Sequence, residues 1–272
     1  MRTIFEPKRN RYSFDSLREF GLWIDATAPN WTARQSTSNK PEMSWDLNAG
    51  YDGAVQMAKL GWIAGAQRMQ GKLKVIQARQ PMPRKRVDFV GYTPHVPRYC
   101  AGAPDCMIRK QGDSRGGKSL VLYVDICVSA FQDAEHLANY GTAIAHYVKQ
   151  LELDGTRCEV HAGATVTLKG IKQTFTVCVK RAGQPLDLAV MAYAIGHTAF
   201  FRRLWFAFSE RAKAPYQSGY GSISPLALAD CISPAATAVV LHGMNRAHEC
   251  ARTPLEAVES VRAEIERKTK KG

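Results

Sequence analysis

The sequence has little of what marks secreted, membrane-spanning or disulfide-stabilised proteins. Its 272 residues include seven cysteines, none in a Cys-x-x-Cys pair, and an odd number cannot all be paired. We therefore expect reduced thiols and a cytoplasmic location. No apolar segment is long enough for a signal-peptide core or a bilayer span, so no membrane partner is expected.

Arrangements typical of catalysis or zinc binding are also lacking. No Ser-His-Asp or Cys-His combination can be chosen from the spacing of these residues, and His95, Cys100 and Cys106 fit no standard zinc site. The sequence therefore predicts a protein that is not an enzyme and that needs no cofactor.

Acidic residues are scarce beside basic ones. The chain has 24 Asp and Glu against 37 Lys and Arg, a net charge of +13. Residues 1–118 carry +10 of this excess, residues 119–245 carry +1 and residues 246–272 carry +2. A basic region joined to a nearly neutral one predicts a polyanionic partner, of which nucleic acid is the commonest.

Strands and helices alternate from Ser119 onward, whereas residues 1–117 are turn-rich with short helical stretches. The pattern predicts a basic, mostly helical N-terminal lobe at 1–117 and a Rossmann-type α/β domain at 118–272, its mostly parallel sheet covered by helices on both faces. The predicted strands are Ser119–Val128, Cys158–Leu168, Thr174–Val179, Arg203–Ser209 and Ala236–Leu241. The predicted helices are Ser13–Leu22, one or two helices within 51–69, Asp133–Leu153, Leu186–Gly196, Pro225–Cys231 and Pro254–Lys268.

A phosphate-binding pattern, Gly-x4-Gly-Lys-Ser, occurs at Gly112–Ser119. This loop binds phosphates when it follows a strand and opens a helix. Here it follows an irregular segment and opens a strand. The context favours a basic lead-in loop, with an NTPase as a third functional alternative.

An acid, a thiol and a hydroxyl follow the first strand of the predicted sheet, in Asp125-Ile-Cys127-Val-Ser129. If the strand geometry continues, these three side chains project the same way at its carboxyl end. Ligands of open α/β sheets lie at that end.

The segment resembles the Asp-x-Ser-x-Ser strand end of the von Willebrand factor A family, over about residues 118–268. Asp187 lies where that family has its threonine motif, and Glu210 lies where its next strand ends in Thr-Asp-Gly. The resemblance implies a divalent cation, such as Mg²⁺, held by Asp125, Ser129 and Asp187 or Glu210. Cys127 replaces a serine, the threonine is missing and Glu210 replaces an aspartate, which implies a degenerate metal site.

The order of three further features resembles a bacteriophage-associated family. That family has a Trp-containing helical segment, a Gly-Tyr-x-Pro-x-Val-Pro-x-Tyr stretch and an Asp-x-Ser-x-Ser strand. Here these correspond to Trp62, Gly91–Tyr99 and Asp125–Ser129. The resemblance implies a phage accessory protein in the cytoplasm of a bacterial host.

Tryptophans and basic residues alternate in the N-terminal part of the chain. This combination is typical of single-strand binding, because bases stack on aromatic rings while cations contact phosphates. No recognition helix for reading duplex DNA is evident. We predict a single-stranded DNA-binding protein; the alternative is an adaptor that engages a polymerase or ATPase through the Asp125 end of the sheet. The predicted phosphate contacts are Lys72, Lys74, Arg79, Arg84, Lys85 and Arg86, and the predicted stacking residues are Trp31, Trp45 and Trp62.

Overall fold

The structure is a computed structural model of the whole chain. It describes residues 1–30, 37–40, 42–79, 86–89, 93–109, 119–128, 133–213, 222–232, 238–242 and 253–269.

A central sheet organises the described residues, with seven strands in the order β1-β2-β8-β7-β6-β10 and β9 paired to β7. Its strands are β1 (Arg2–Glu6), β2 (Arg9–Phe14), β6 (Ser119–Asp125), β7 (Arg157–Leu168), β8 (Ile171–Lys180), β9 (Ser222–Ser224) and β10 (Ala238–Leu241). The second sheet contains β3 (Arg86–Asp88), β4 (Thr93–Pro94) and β5 (Met107–Arg109). From β2 to β10, the only antiparallel pairing in the described path is the β7–β8 hairpin. The predicted α/β class with a mostly parallel centre is confirmed.

The described helices are α1 (Leu17–Ala26), α2 (Met43–Asp46), α3 (Gly50–Leu60), α4 (Ile63–Arg79), α5 (Val96–Cys100), α6 (Ala134–Leu153), α7 (Leu188–Gly196), α8 (Phe206–Arg211) and α9 (Pro254–Thr269). All of them except α2 and α5 contribute apolar residues to the core on one face of this sheet. Along β6, Leu120, Leu122 and Val124 join the core that these helices bury, while Val121 and Tyr123 face the other way. Helices were expected on both faces; within the described residues the second face carries only the 3-10 turn Leu228–Asp230.

The N-terminal residues belong to the same sheet and the same core. Strand β2 pairs in parallel with β8, and β1 extends the edge. The ring of Phe20 from α1 stacks on Phe175 of β8, with centroids 5.2 Å apart. The domain boundary predicted between residues 117 and 118 therefore separates strands that belong to one sheet and residues that belong to one core. Neither β1 nor β2 was predicted, since polar residues leave β1 only Ile4 and Phe5, and β2 only Tyr12 and Phe14, as large apolar positions.

The predicted strand Arg203–Ser209 is wrong. The chain forms a π-helix at Phe200–Trp205, which continues into α8. An apolar run that is buried on all sides has no periodicity to separate strand from helix. The helix predicted at Pro225–Cys231 is reduced to the 3-10 turn Leu228–Asp230. The other predicted elements of 119–269 are present with shifted ends, and residues 51–69 form two helices that meet at Gly61 and Trp62. No helix in the described part of the chain is long and apolar enough to cross a membrane.

Candidate functional site

A cavity of about 600 Å³ lies between α4, α6 and α7, and we refer to it as the α4 cavity. Small side chains on all three helices leave this volume open, and Trp62, Arg68 and Lys72 border it. The small residues are Gly65, Gly71, Ala134, Ala138, Ala192 and Gly196. Its volume is in the range of small-ligand sites, about 300–1,000 Å³.

Two glycines position Trp62 at this cavity. Gly61 has a φ of +82°, and a Cβ there would lie 2.9 Å from the Cβ of Ala189. The close approach lets the Trp62 backbone N–H donate to the Ala189 carbonyl at 3.0 Å. A Cβ on Gly65 would lie 1.9 Å from the Trp62 ring, so only glycine leaves room for the indole there.

The Trp62 ring also contacts a cation and a histidine. The Arg68 guanidinium lies 5.9 Å from the ring centroid, within the range of a cation–π interaction. The His197 ring packs edge-on against the indole, with centroids 4.4 Å apart. Burial lowers the pKa of His197 to about 4, although the carboxylate of Asp46 acts in the opposite direction. His197 is therefore neutral at pH 7.

Lys72 brings a second cation to the α4 cavity. Its ammonium donates to Glu135 Oε1 at 2.5 Å and to Asn139 Oδ1 at 2.6 Å. The Lys72 side chain is 19% exposed and that of Glu135 is 66% exposed. Because a pair in contact with water contributes little stability, about 0–1 kcal/mol, Lys72 can exchange this carboxylate for a phosphate at small cost.

The other predicted phosphate contacts divide into three groups. Lys74 is exposed on α4. Arg79 is the last residue of α4, and Arg86 opens β3. Arg84 and Lys85 lie outside the described residues, as does Trp31. Helix α4 carries four basic residues and no acidic one, so its backbone brings part of the predicted set onto one element.

Trp45 lies apart from the α4 cavity. The Arg202 guanidinium lies 5.0 Å from the centroid of its ring and donates to the carbonyls of Ser44 and Trp45 at 2.9 and 3.0 Å. Phe206 packs beside the indole, with centroids 6.0 Å apart. This tryptophan packs α2 against the π-helix, and its predicted role in base stacking stays a prediction.

Asp125 and Asp187, two of the predicted metal ligands, are not brought together. Strand β8 is antiparallel in direction to β6, because it pairs antiparallel with β7 and β7 pairs parallel with β6. The chain therefore leaves β8 at the edge of the sheet where β6 begins, whereas Asp125 lies where β6 ends. Asp187 then caps α7 by accepting from the N–H groups of Ala189 and Val190 at 2.8 and 3.2 Å. Ser129 lies outside the described residues. Within the described ranges no group of three or more His, Cys, Asp or Glu residues is placed to hold a metal ion.

Asp125 holds the backbone around it. Its carboxylate accepts from the N–H of Cys127 at 2.9 Å and from the N–H of Leu226 at 3.1 Å. Burial raises its pKa, while these hydrogen bonds act in the opposite direction. Burial and the neighbouring carboxylate raise the pKa of the Cys127 thiol, which makes that thiol a poor ligand for a hard cation.

Glu210, the alternative fourth ligand, also lies elsewhere. It belongs to α8 and not to the end of a strand, and its carboxylate lies 3.7 Å from the Arg211 guanidinium. Both side chains are at least nine-tenths buried. The phosphate-loop residues before Ser119 lie outside the described residues, and Ser119 begins β6.

Two exposed aromatic side chains were not assigned from the sequence: Phe89 follows β3, and Tyr99 lies on α5, between β4 and β5 along the chain. Phe89 is 67% exposed and Tyr99 is 66% exposed. Next to Tyr99, the Arg98 guanidinium makes a bidentate contact with Asp105 at 2.7 and 2.6 Å. The proline- and glycine-rich segment has no periodicity from which this exposure could be predicted. The presence of both aromatic and basic residues in Arg86–Tyr99 was the one feature of the sequence that could have suggested a binding role for this segment.

A buried polar cluster on the second face of the sheet was missed as well. His161 Nε2 lies 2.6 Å from Glu159 Oε1, and the His161 ring stacks on Tyr123 with centroids 4.9 Å apart. Burial lowers the pKa of His161 and raises the pKa of Tyr123 to about 12. Both groups are therefore neutral at pH 7. The signal in the sequence was the two-residue spacing of Glu159 and His161 on β7, which places both side chains on one face of the sheet.

The fold and the cavity define an α/β protein with a basic helix beside a small-ligand-sized cavity. A family model described as Domain of unknown function (DUF7192) matches residues 3–270, and the chain belongs to this family. Neither the search of curated proteins nor the search of solved structures returned a match. The resemblance to the von Willebrand factor A family stays a prediction.

Proposed function

We propose that this protein binds single-stranded nucleic acid, most directly single-stranded DNA, without catalysing a reaction on it. The observation that carries the proposal is α4: a helix with four basic and no acidic residues, beside a cavity bordered by Trp62. A setting in phage transcription or replication rests on the family resemblance of the sequence alone.

The charge distribution supports a polyanionic ligand. Residues 1–118 hold most of the net positive charge, and α4 lies within them. Arg68 and Lys72 border the cavity and Lys74 is exposed on the same helix. Lys74 makes no ion pair with any residue that the structure describes. A helix with this composition attracts phosphates whatever the base sequence.

Aromatic rings near these cations favour a single strand over a duplex. Unpaired bases stack on aromatic side chains, at about 1–3 kcal/mol for each base. Trp62 borders the cavity, and Phe89, which follows β3, and Tyr99, on α5, are exposed in the part of the chain that follows α4. In a duplex the base faces are already stacked, so these rings would gain little.

Fluorescence anisotropy with a labelled single-stranded oligonucleotide tests the proposal. We expect affinity to fall at least about tenfold between about 50 and 200 mM salt, since phosphate contacts release counterions. Lys74→Ala should weaken binding and lower the salt slope by about 0.7, the value for one lost contact on a single strand. Lys8→Ala is the matched control, because Lys8 is equally exposed but lies in the turn between β1 and β2.

Duplex DNA and ATP complete the same titration. Tighter binding to the duplex, binding that does not depend on salt, or no binding at low salt would each contradict the proposal. ATP binding would favour the NTPase alternative. For the adaptor alternative, Asp125 is 3% exposed and bonded to its own chain, so a partner at that end of the sheet would contact other groups.

A further inference from the structure

We infer that the α4 cavity receives one unstacked base of the bound strand, while the adjoining phosphates lie outside it along α4. This inference rests on the proposed function and assigns a part of the ligand to the cavity. The charge of the cavity, the composition of its walls and its position beside α4 all suit a base.

The charges that border the cavity are balanced. Arg68 and Lys72 lie on the α4 side, and Asp133 and Glu135 lie at the start of α6. Lys72 and Glu135 are paired at 2.5 Å. A phosphate in this space would meet two carboxylates, whereas a neutral base would meet hydrogen-bond donors and acceptors of both kinds. The cavity is therefore matched to the base and not to the phosphate.

The walls suit a flat aromatic group. Trp62, Met69 and Val75 supply apolar surface, and the glycines and alanines between them keep the space open. Gly71 has no atom within 4 Å of where a Cβ would be. Thr142 donates its hydroxyl hydrogen to the Ala138 carbonyl at 2.7 Å, which leaves its oxygen as an acceptor at the wall.

Two more basic residues follow Lys72 along α4, beyond the cavity. Lys74 is exposed two residues beyond Lys72 on α4, and Arg79 ends that helix. A strand that follows α4 would therefore keep its phosphates beside basic residues while one nucleotide turns inward. The net positive helix and the neutral cavity divide the two parts of a nucleotide between them.

The test compares strands that differ in a single base. We would measure the affinity of the full-length chain for an all-abasic 12-residue tetrahydrofuran strand and for the same strand with one central adenine. The wild type should prefer the adenine strand by about tenfold, as one stacked base implies. Ala138→Leu fills the cavity and should remove this preference without changing affinity for the abasic strand. Gln67→Leu, on an exposed part of α4 that does not border the cavity, is the matched control and should keep the preference.

The outcomes separate this inference from the proposed function. If the wild type binds both strands equally, or if Ala138→Leu keeps the preference, the base is not held in the α4 cavity even though the strand binds. If no strand binds at low salt, including a normal oligonucleotide, the proposed function itself fails. The thermal midpoint of Ala138→Leu is measured alongside, and Ala138→Val provides a smaller filling that should reduce the preference partway.

Discussion

Two regions of the helix layer each contain an ion pair and an arginine that lies over a tryptophan ring, but the two ion pairs differ in their exposure to solvent. Where α2 meets the π-helix, Arg203 Nε pairs with Asp46 Oδ2 at 2.6 Å and Arg202 lies over Trp45. At the α4 cavity, Lys72 pairs with Glu135 at 2.5 Å and Arg68 lies over Trp62. The Arg203 and Asp46 side chains are 4% and 0% exposed, against 19% and 66% for Lys72 and Glu135.

This difference in exposure assigns different roles to similar chemistry. A buried ion pair cannot lose one member without leaving an unpaired buried charge, so we assign a structural role to the pair of Arg203 and Asp46. A pair in contact with water can exchange its carboxylate for another anion at little cost. Of these two regions, the one at α4 therefore has the cations that are available to a ligand.

Breaking the buried pair should give the largest effect. Arg203→Met leaves the Asp46 carboxylate buried without its cation, while the Gly50 N–H still donates to Asp46 Oδ2 at 3.1 Å. We expect a loss of about 3–5 kcal/mol in the free energy of unfolding. Lys72→Met is the matched change in the other region, and it should cost less than about 1 kcal/mol. Urea unfolding of both variants measures the difference, and equal losses would remove the distinction between the two regions.

The tryptophans and charged residues of both regions are visible in the sequence, but their solvent exposure could not be predicted from it. Trp45 and Trp62 each lie near basic residues, and nothing in the spacing shows that one ring is covered by an arginine from a distant segment. Arg203 was placed at the start of a strand, because the apolar residues after it have no helical stripe. The β7–β8 hairpin was predicted because its signal is local: Lys169 and Gly170 both have positive φ in the turn. Contacts between residues more than a hundred positions apart had no such signal.

A pH dependence should report on His197, which lies between the two regions. Its pKa is about 4 in the folded protein, because burial outweighs the attraction of Asp46, against 6.5 for an unperturbed histidine. Between these values the unfolded chain binds more protons, so stability present above pH 6.5 is lost as the pH falls toward 4. The loss should be about 2–3 kcal/mol over this window.

Comparison with His197→Asn isolates this contribution from the other buried histidines. The asparagine keeps an acceptor for the Ala199 N–H, which donates to His197 Nδ1 at 3.0 Å, but it does not titrate. Denaturant unfolding at about pH 7.5 and pH 4.5 should show a smaller pH-dependent loss for the variant. Identical losses for the two proteins would mean that protonation of His197 does not limit stability in acid.

Alanine substitutions at two glycines of α4 should change stability least. The sign of the change should differ between Gly65, which packs against Trp62, and Gly71, which has open space beside it. A methyl group on Gly65 would collide with the Trp62 ring, whereas one on Gly71 would meet nothing within 4 Å. Gly71→Ala should therefore stabilise the protein by up to about 1 kcal/mol, from helix propensity alone. Gly65→Ala gains the same propensity but must displace the indole, at about 1–3 kcal/mol, so its net effect should be a loss of roughly 1 kcal/mol. Thermal unfolding of the two variants measures the difference. If both substitutions stabilise the protein, Trp62 is not held against Gly65, and the wall that we assign to the base would have to be formed by other residues.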